Sequence, residues 1–135
     1  METDEHRRTL LIVENEALVR LDIAMMLELA DFRVLEAGNS VEALTALVSN
    51  TNIGVLVTGI HMPGELNGLA LVRRVVQDHP LISSIVISGN DSARDAYEAG
   101  ATDFISKPFM TNAFVAAVHK AFRRCDMRRK NGSRI

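Results

Sequence analysis

The fold is decided by one stretch of sequence, GVLVTGIHMPG at residues 54–64. Its first half is an apolar run of the kind that forms a strand buried on both faces, and its Pro-Gly pair marks the turn that ends the strand. Ligands of open α/β sheets bind at the carboxyl ends of the strands, so Gly59 is predicted to point into the active site. A glycine offers no side chain that could react there.

Three other strand-like segments end in polar or charged residues, namely 9–13 before Glu14, 84–87 before Ser88, and 103–106 before Lys107. Strand-like and helix-like segments alternate five times along the chain. This alternation predicts a parallel sheet with helices on both faces. The predicted helices are 16–30, 39–49, 67–78, 92–99 and 111–124. Asn39 and Glu42 have the spacing of a capping box at the start of the second helix.

Five short motifs occur in a fixed order: Glu14-Asn15-Glu16, Met62-Pro63-Gly64, Ser88-Gly89, Ala99-Gly100-Ala101 and Lys107-Pro108-Phe109. With these motifs the chain resembles the receiver domain of two-component response regulators over about residues 9–124. The resemblance implies a flavodoxin-like (βα)5 fold, an α/β doubly wound fold whose five-stranded parallel sheet has the order 2-1-3-4-5. It also implies a cis peptide bond between Lys107 and Pro108.

Receiver domains carry an aspartate at the end of the third strand, and it accepts a phosphoryl group from a histidine kinase. By position, the resemblance assigns Ser88 and Lys107 to the contacts with that phosphoryl group. Phe104 matches the aromatic residue that reports the switch. The acceptor position, however, is occupied by Gly59. The chain therefore resembles a receiver that lacks its acceptor, an atypical pseudo-receiver.

In the same family, two acidic residues after the first strand help to hold Mg²⁺. Here the first is Glu14, but the second position is Asn15. Glu14 and Lys107 then balance each other in charge, which predicts a direct ion pair between them. Because Mg²⁺ is usually held by carboxylates and waters, we expect its binding to be weak or absent and expect no other cofactor.

Other residues are poor candidates for accepting the phosphoryl group. Alternation along the strand points Thr58 away from position 59, and no base is evident that would activate Ser88. Glu14 lacks the supporting carboxylates. We therefore expect no enzymatic activity, while a phosphorelay receiver that is phosphorylated at a non-standard residue remains the main alternative.

The first helix carries two apolar stripes. One stripe is predicted to face the sheet: Val19, Ile23, Met26 and Ala30. The second lies about 120° away around the helix: Leu18, Leu21, Met25 and Leu29. Neighbouring elements could cover the second stripe, or it could bind a partner, because receivers meet kinases and phosphotransfer proteins partly through this helix. A homodimer that pairs two copies of the stripe is a further alternative.

The composition fits a globular protein of one domain, with 47% hydrophobic residues and a net charge of −2. The single Cys125, the absence of a signal peptide and the lack of an apolar run of about 18 residues predict a cytoplasmic protein that does not enter a membrane. We divide the chain into an N-terminal extension (1–8), a receiver domain (9–124) and a basic tail (125–135). A solvated tail is the default, and nucleic-acid binding through it is a less favoured alternative.

These observations predict a stand-alone receiver domain in bacterial two-component signalling. We expect it to act by protein–protein interaction without phosphorylation of an aspartate. The expected partners are a histidine kinase, a phosphotransfer protein or another signalling protein.

Overall fold

The computed structural model describes residues 8–64, 66–89 and 93–132. Strands and helices alternate in the order β1 (Thr9–Val13), α1 (Ala17–Leu29), β2 (Arg33–Ala37), α2 (Ser40–Ser49), β3 (Ile53–Thr58), α3 (Gly68–Asp78), β4 (Ser83–Ser88), α4 (Ala93–Ala99), β5 (Asp103–Ser106) and α5 (Thr111–Gly132). The strands form one parallel sheet in the order β2-β1-β3-β4-β5. The predicted flavodoxin-like (βα)5 fold is therefore confirmed.

The three central strands are buried along their whole length, because helices cover both faces of the sheet. On one face, side chains such as Leu11 and Leu56 pack against α2, α3 and α4. On the other face, side chains such as Leu10 and Val57 pack against α1 and α5. The sheet is thus the middle of three layers, and its carboxyl edge opens between the two layers of helices.

Asparagine caps set the starts of two helices, one residue later than predicted. The side chain of Asn39 accepts a hydrogen bond from the amide of Glu42 at 2.9 Å, and Asn67 caps α3 in the same way. The return contact of the predicted capping box is displaced by one residue, since Glu42 accepts from the amide of Gly38 at 2.8 Å. Ser92, the predicted first residue of the fourth helix, lies outside the described residues.

The last helix is longer than predicted, because α5 continues past Arg124 to Gly132. Cys125 is only 2% exposed and packs near Gly54, where a Cβ atom would lie 3.3 Å from the cysteine sulfur. The guanidinium of Arg128 donates to the carbonyl of Ile82 at 3.2 Å. The prediction of a solvated tail that starts at residue 125 is therefore wrong for the first part of that segment. Residues 1–7 of the predicted extension and residues 133–135 lie outside the described part.

Within the described residues, no helix has both the length and the apolar character that a membrane span requires.

Candidate functional site

Backbone pairing brings the predicted site residues to the carboxyl edge of the sheet. The amide of Gly59 donates to the carbonyl of Val13 at 3.2 Å, which sets Gly59 beside the end of β1. The amide of Lys107 donates to the carbonyl of Ser88 at 3.0 Å, which joins the ends of β4 and β5. The resulting depression has a volume of about 170 Å³ and is lined by Glu14, Asn15, Glu16, Gly59, Ile60, His61, Ile87, Ser88, Gly89 and Lys107.

The Glu14 carboxylate lies in the space beside Gly59. One oxygen, Oε2, accepts a hydrogen bond from the amide of Glu16 at 2.8 Å. The other, Oε1, is 3.3 Å from the point that a Cβ atom would occupy on Gly59. Among the described residues no salt bridge joins Glu14 to Lys107, so the predicted ion pair is wrong. The local amide holds the carboxylate, and Lys107 extends to the exposed surface.

The two hydroxyl groups near the depression are both buried. Thr58 has no exposed surface, and its hydroxyl donates to the carbonyl of Gly59 at 2.8 Å. Ser88 is 7% exposed and belongs to the wall of the depression. The Thr58 hydroxyl is therefore closed to a phosphoryl donor, whereas Ser88 borders the depression.

The side chains at this edge do not match the Mg²⁺ ion that the receiver resemblance implies. Mg²⁺ prefers an octahedral set of oxygen ligands and is normally bound through one or two carboxylates with several waters. One carboxylate oxygen of Glu14 already accepts a hydrogen bond from the amide of Glu16. Gly59 has no side chain and therefore provides no oxygen ligand. Across the described part of the chain, no three His, Cys, Asp or Glu side chains gather in an arrangement suited to a metal ion.

The first residue of α3, Gly68, is a structural part of the site that the sequence analysis missed. Its amide donates to the carbonyl of Ile60 at 2.8 Å. A Cβ atom at Gly68 would lie 1.7 Å from the carbonyl oxygen of Gly59. The signal in the sequence was the Asn67-Gly68 pair directly before an apolar helical pattern.

The loop after β5 contains the predicted cis peptide bond between Lys107 and Pro108. The ring of Phe109 packs against Phe114, with 5.0 Å between the ring centroids. Phe104, the predicted switch aromatic, is half-buried and packs against the core beneath α2, α3 and α4.

The second stripe of α1 is exposed, with Leu18 at 79%, Leu21 at 47%, Met25 at 53% and Leu29 at 87% of their full accessible surface. The alternative in which neighbouring elements cover this stripe is therefore wrong. The first stripe packs on the core as predicted. The prediction missed Ala24 and Leu27, which are fully buried on the same helix.

Comparison with known proteins finds transcriptional regulators among the relatives of this chain. The chain is 38% identical to the transcriptional regulatory protein FixJ of Rhizobium meliloti over 116 residues, which are 84% of this chain and 56% of FixJ. It is 34% identical to the DNA-binding transcriptional regulator NtrC of Escherichia coli over 113 residues, which are 82% of this chain and 24% of NtrC. The chain thus spans about half, or less, of the length of these relatives.

Solved structures give the same result. A response regulator receiver domain protein from Clostridium thermocellum matches with a TM-score of 0.82 and 27% identity, over 88% of this chain and 97% of that one. NtrX from Brucella abortus matches with a TM-score of 0.85 and 26% identity, over 96% of this chain and 30% of that one. The family model described as the response regulator receiver domain matches residues 10–119. The chain therefore belongs to the response regulator receiver domain family.

Proposed function

We propose that this receiver domain acts in two-component signalling by binding a protein partner, without phosphorylation of an aspartate. The observation that supports the proposal is that Gly59 directly follows β3, where the resemblance to receiver domains leads us to expect the acceptor aspartate. An acyl phosphate requires a carboxylate as the nucleophile, and Gly59 provides none. The adjacent carboxylate of Glu14 is held by the amide of Glu16. For the same reason we expect the chain to have no enzymatic activity of its own.

The direct test is incubation with acetyl phosphate and Mg²⁺, followed by measurement of the intact mass. We expect the mass of the wild-type chain to stay unchanged, because position 59 has no carboxylate. The matched variant Asn15→Asp/Gly59→Asp restores the two family carboxylates and should gain one phosphoryl group. A conventional receiver domain treated in parallel verifies the reagent. A stable phosphoryl group on the wild-type chain would contradict the proposal.

Binding of Mg²⁺ provides a second test through thermal stability. A ligand that binds only the folded state stabilises it by RT ln(1 + [L]/Kd), or about 2.7 kcal/mol at a hundredfold excess over Kd. We expect millimolar Mg²⁺ to leave the melting temperature of the wild-type chain almost unchanged. The Asn15→Asp/Gly59→Asp variant should show a clear rise under the same conditions. A rise of several degrees in the wild-type chain would refute the expectation of weak or absent metal binding.

Phosphorylation at a non-standard residue is the main alternative, and the burial of the nearby hydroxyls weighs against it. The hydroxyl of Thr58 is fully buried and hydrogen-bonded, and Ser88 is almost fully buried. Peptide mapping after incubation with a phosphorylated histidine kinase or phosphotransfer protein would distinguish the two cases. A phosphoryl group mapped to Thr58, Ser88 or Glu14 would favour the phosphorelay alternative.

Nucleic-acid binding through the basic end of α5 receives less support. Arg124 donates to the carbonyl of Thr102 at 3.2 Å, and Arg128 donates to Ile82 and Ser83. The names of FixJ and NtrC describe transcriptional regulation, but this chain matches only part of each. Duplex binding that weakens steeply with salt and disappears in the variant Arg129→Gln/Lys130→Gln would favour this alternative.

The exposed stripe of α1, formed by Leu18, Leu21, Met25 and Leu29, is the surface that we assign to the partner. Large apolar side chains grouped on one exposed face commonly mark an interaction site. A histidine kinase, a phosphotransfer protein or another signalling protein would bind there. We expect Leu21→Glu/Met25→Glu to abolish partner binding while the far-ultraviolet circular dichroism spectrum and the melting temperature stay close to those of the wild-type chain.

A further inference from the structure

A cleft of about 490 Å³ lies at the amino edge of the sheet, where the strands begin, opposite to the candidate functional site. It opens between the ends of α2 and α3, beside the start of β3. Leu47 and Ile53 are almost fully buried and lie at its base. Val48 and Leu81, which are 74% and 41% exposed, lie at its mouth. A mostly apolar cleft of this volume is typical of sites that bind small molecules.

The extension of α5 provides a basic wall of this cleft. The guanidinium of Arg128 donates to the carbonyl of Ile82 at 3.2 Å and to the hydroxyl of Ser83 at 3.1 Å, and these bonds hold the helix against the start of β4. The next residue, Arg129, lines the cleft. Arg129 lies beyond residue 119, where the match to the receiver family ends. The cleft therefore depends on a part of the chain outside the family match.

The formal charges at the cleft favour an anion. Among the described residues that line it, Asp78 is the one carboxylate, and its Oδ2 accepts a hydrogen bond from Nε of Arg74 at 2.7 Å. Arg129 contributes a guanidinium, whose planar fork of N–H donors matches the geometry of a carboxylate. The ends of α2 and α3 add partial negative charge, but this effect is screened and is confined to the last turn of each helix.

We propose that this cleft binds a small amphipathic anion, a monocarboxylate with an aliphatic chain. The chain contacts Leu47, Val48 and Leu81, and affinity comes from the removal of its methylene groups from water. The carboxylate pairs with Arg129 through charge-assisted hydrogen bonds. The cleft is separate from the carboxyl edge of the sheet, so this inference goes beyond the proposed function and does not depend on it.

The test compares three probes with the same number of carbons, namely octanoate, 1-octanol and octylammonium, on the full chain. Titrations follow the methyl resonances of Leu47, Val48 and Leu81 by NMR, at probe concentrations below those at which micelles form. We expect octanoate to bind about three- to fivefold more tightly than octanol, as for an exposed charge pair. Octylammonium should bind most weakly.

The length of the carboxylate tests the apolar contact separately. In the series butanoate, hexanoate and octanoate, affinity should rise about two- to fourfold for each added methylene group, because each one that is buried contributes up to about 0.8 kcal/mol.

Variants separate the charge from the apolar contact. Arg129→Gln should weaken octanoate binding about three- to fivefold and leave octanol binding unchanged. Lys130→Gln is the matched control, because Lys130 is the adjacent cation and is not among the residues that line the cleft. Val48→Glu should abolish octanoate binding, whereas Val41→Glu, at an equally exposed position of the same helix, should leave it unchanged. If Val48→Glu unfolds, Leu81→Glu replaces it.

Three results would overturn the inference. One is the absence of any shift of the cleft methyl resonances at millimolar octanoate. Another is binding of octanol or octylammonium that equals or exceeds that of octanoate, because Arg129 would then not select the ligand. The third is an equal loss of affinity in Arg129→Gln and Lys130→Gln, because general attraction to the basic end of α5 would then explain the binding.

Discussion

Replacement of Gly68 by alanine tests the packing that shapes the candidate site. The added Cβ atom would lie 1.7 Å from the carbonyl oxygen of Gly59, 2.7 Å from its carbonyl carbon and 2.9 Å from the Cα atom of Ile60. Non-bonded heavy atoms attract best at about 3.5–4.0 Å, so relief requires a movement of roughly 1.5–2 Å. All three neighbours are backbone atoms, and therefore no rotamer change can accommodate the methyl group.

The expected loss of stability has two causes, the steric contact of the new methyl group and the loss of a backbone hydrogen bond. Overpacking of a tight contact costs about 1–3 kcal/mol, and loss of the hydrogen bond from Gly68 to Ile60 costs about 1 kcal/mol. The lower entropy of the unfolded alanine chain offsets about 0.4–1 kcal/mol. All three contacts are with backbone atoms, so the upper part of the overpacking range, about 2–3 kcal/mol, applies. We therefore expect the free energy of unfolding to fall by about 2–3 kcal/mol in total. For a domain of this size the melting temperature should fall by roughly 6–15 °C.

Urea denaturation followed by circular dichroism measures this free energy directly, and thermal melts provide the second readout. Two glycines of the same site serve as matched controls. In Gly89→Ala the new Cβ atom lies 3.8 Å from the Cβ atom of Lys107, an ordinary contact, so stability should change little. In Gly59→Ala the nearest atom is Oε1 of Glu14 at 3.3 Å, the end of a flexible side chain, so we expect a loss below about 1 kcal/mol.

A Gly68→Ala variant that melts within 2 °C of the wild-type chain would contradict the predicted backbone clash. Equal losses in Gly68→Ala and Gly89→Ala would also contradict it, because a general glycine effect would then explain both.

Three further predictions concern other parts of the molecule. Asn39→Ala removes the cap of α2 and should lower the free energy of unfolding by about 1 kcal/mol in urea denaturation. Ser84→Ala should preserve or raise stability, because the buried hydroxyl of Ser84 has no hydrogen-bond partner among the described residues. The neighbouring variant Ser83→Ala should lower the free energy of unfolding by about 1 kcal/mol, because the hydrogen bond from Arg128 to Ser83 is lost. Burial and the nearby carboxylate of Asp103 raise the pKa of the Tyr97 phenol. The folded state therefore holds this proton more tightly, so the stabilisation is complete below the ordinary pKa of about 10 and is lost as the pH rises through the higher folded value. Tyr97→Phe should flatten the fall of the melting temperature with pH in that range, and an unchanged slope would count against this assignment.

Local patterns were sufficient for most of the fold. The apolar run of β3 is buried on both faces, as its composition predicts, because parallel strands in the centre of a sheet contact helices above and below. The start of α2 is encoded in Gly38, Asn39 and Glu42, whose hydrogen bonds with one another are local in sequence. Strand order could be predicted only from the resemblance to receiver domains. Strands that lie side by side in the sheet are far apart in the sequence, and no local pattern indicates which of them pair.

The errors concern contacts between residues that lie far apart in the sequence. The packing of α5 near residue 124 involves Gly54 of β3, where a Cβ atom would lie 3.1 Å from the ring of Phe122 and 3.3 Å from the sulfur of Cys125. The contact between Gly68 and Gly59 likewise joins a helix start to a strand end. The ion pair between Glu14 and Lys107 was predicted from charge alone, whereas the nearby amide of Glu16 determines where the carboxylate lies.

The position of the Glu14 carboxylate makes residues 14 and 59 interdependent. An aspartate at position 59 would begin 3.3 Å from Oε1 of Glu14 and would bring a second carboxylate into the same small space. Two carboxylates in such a site resist simultaneous ionisation unless a cation balances them. The single substitution Gly59→Asp therefore meets electrostatic repulsion from Glu14, and only a bound cation would offset it. A carboxylate at position 59 is thus tolerated to the extent that the neighbouring side chains can hold such a cation.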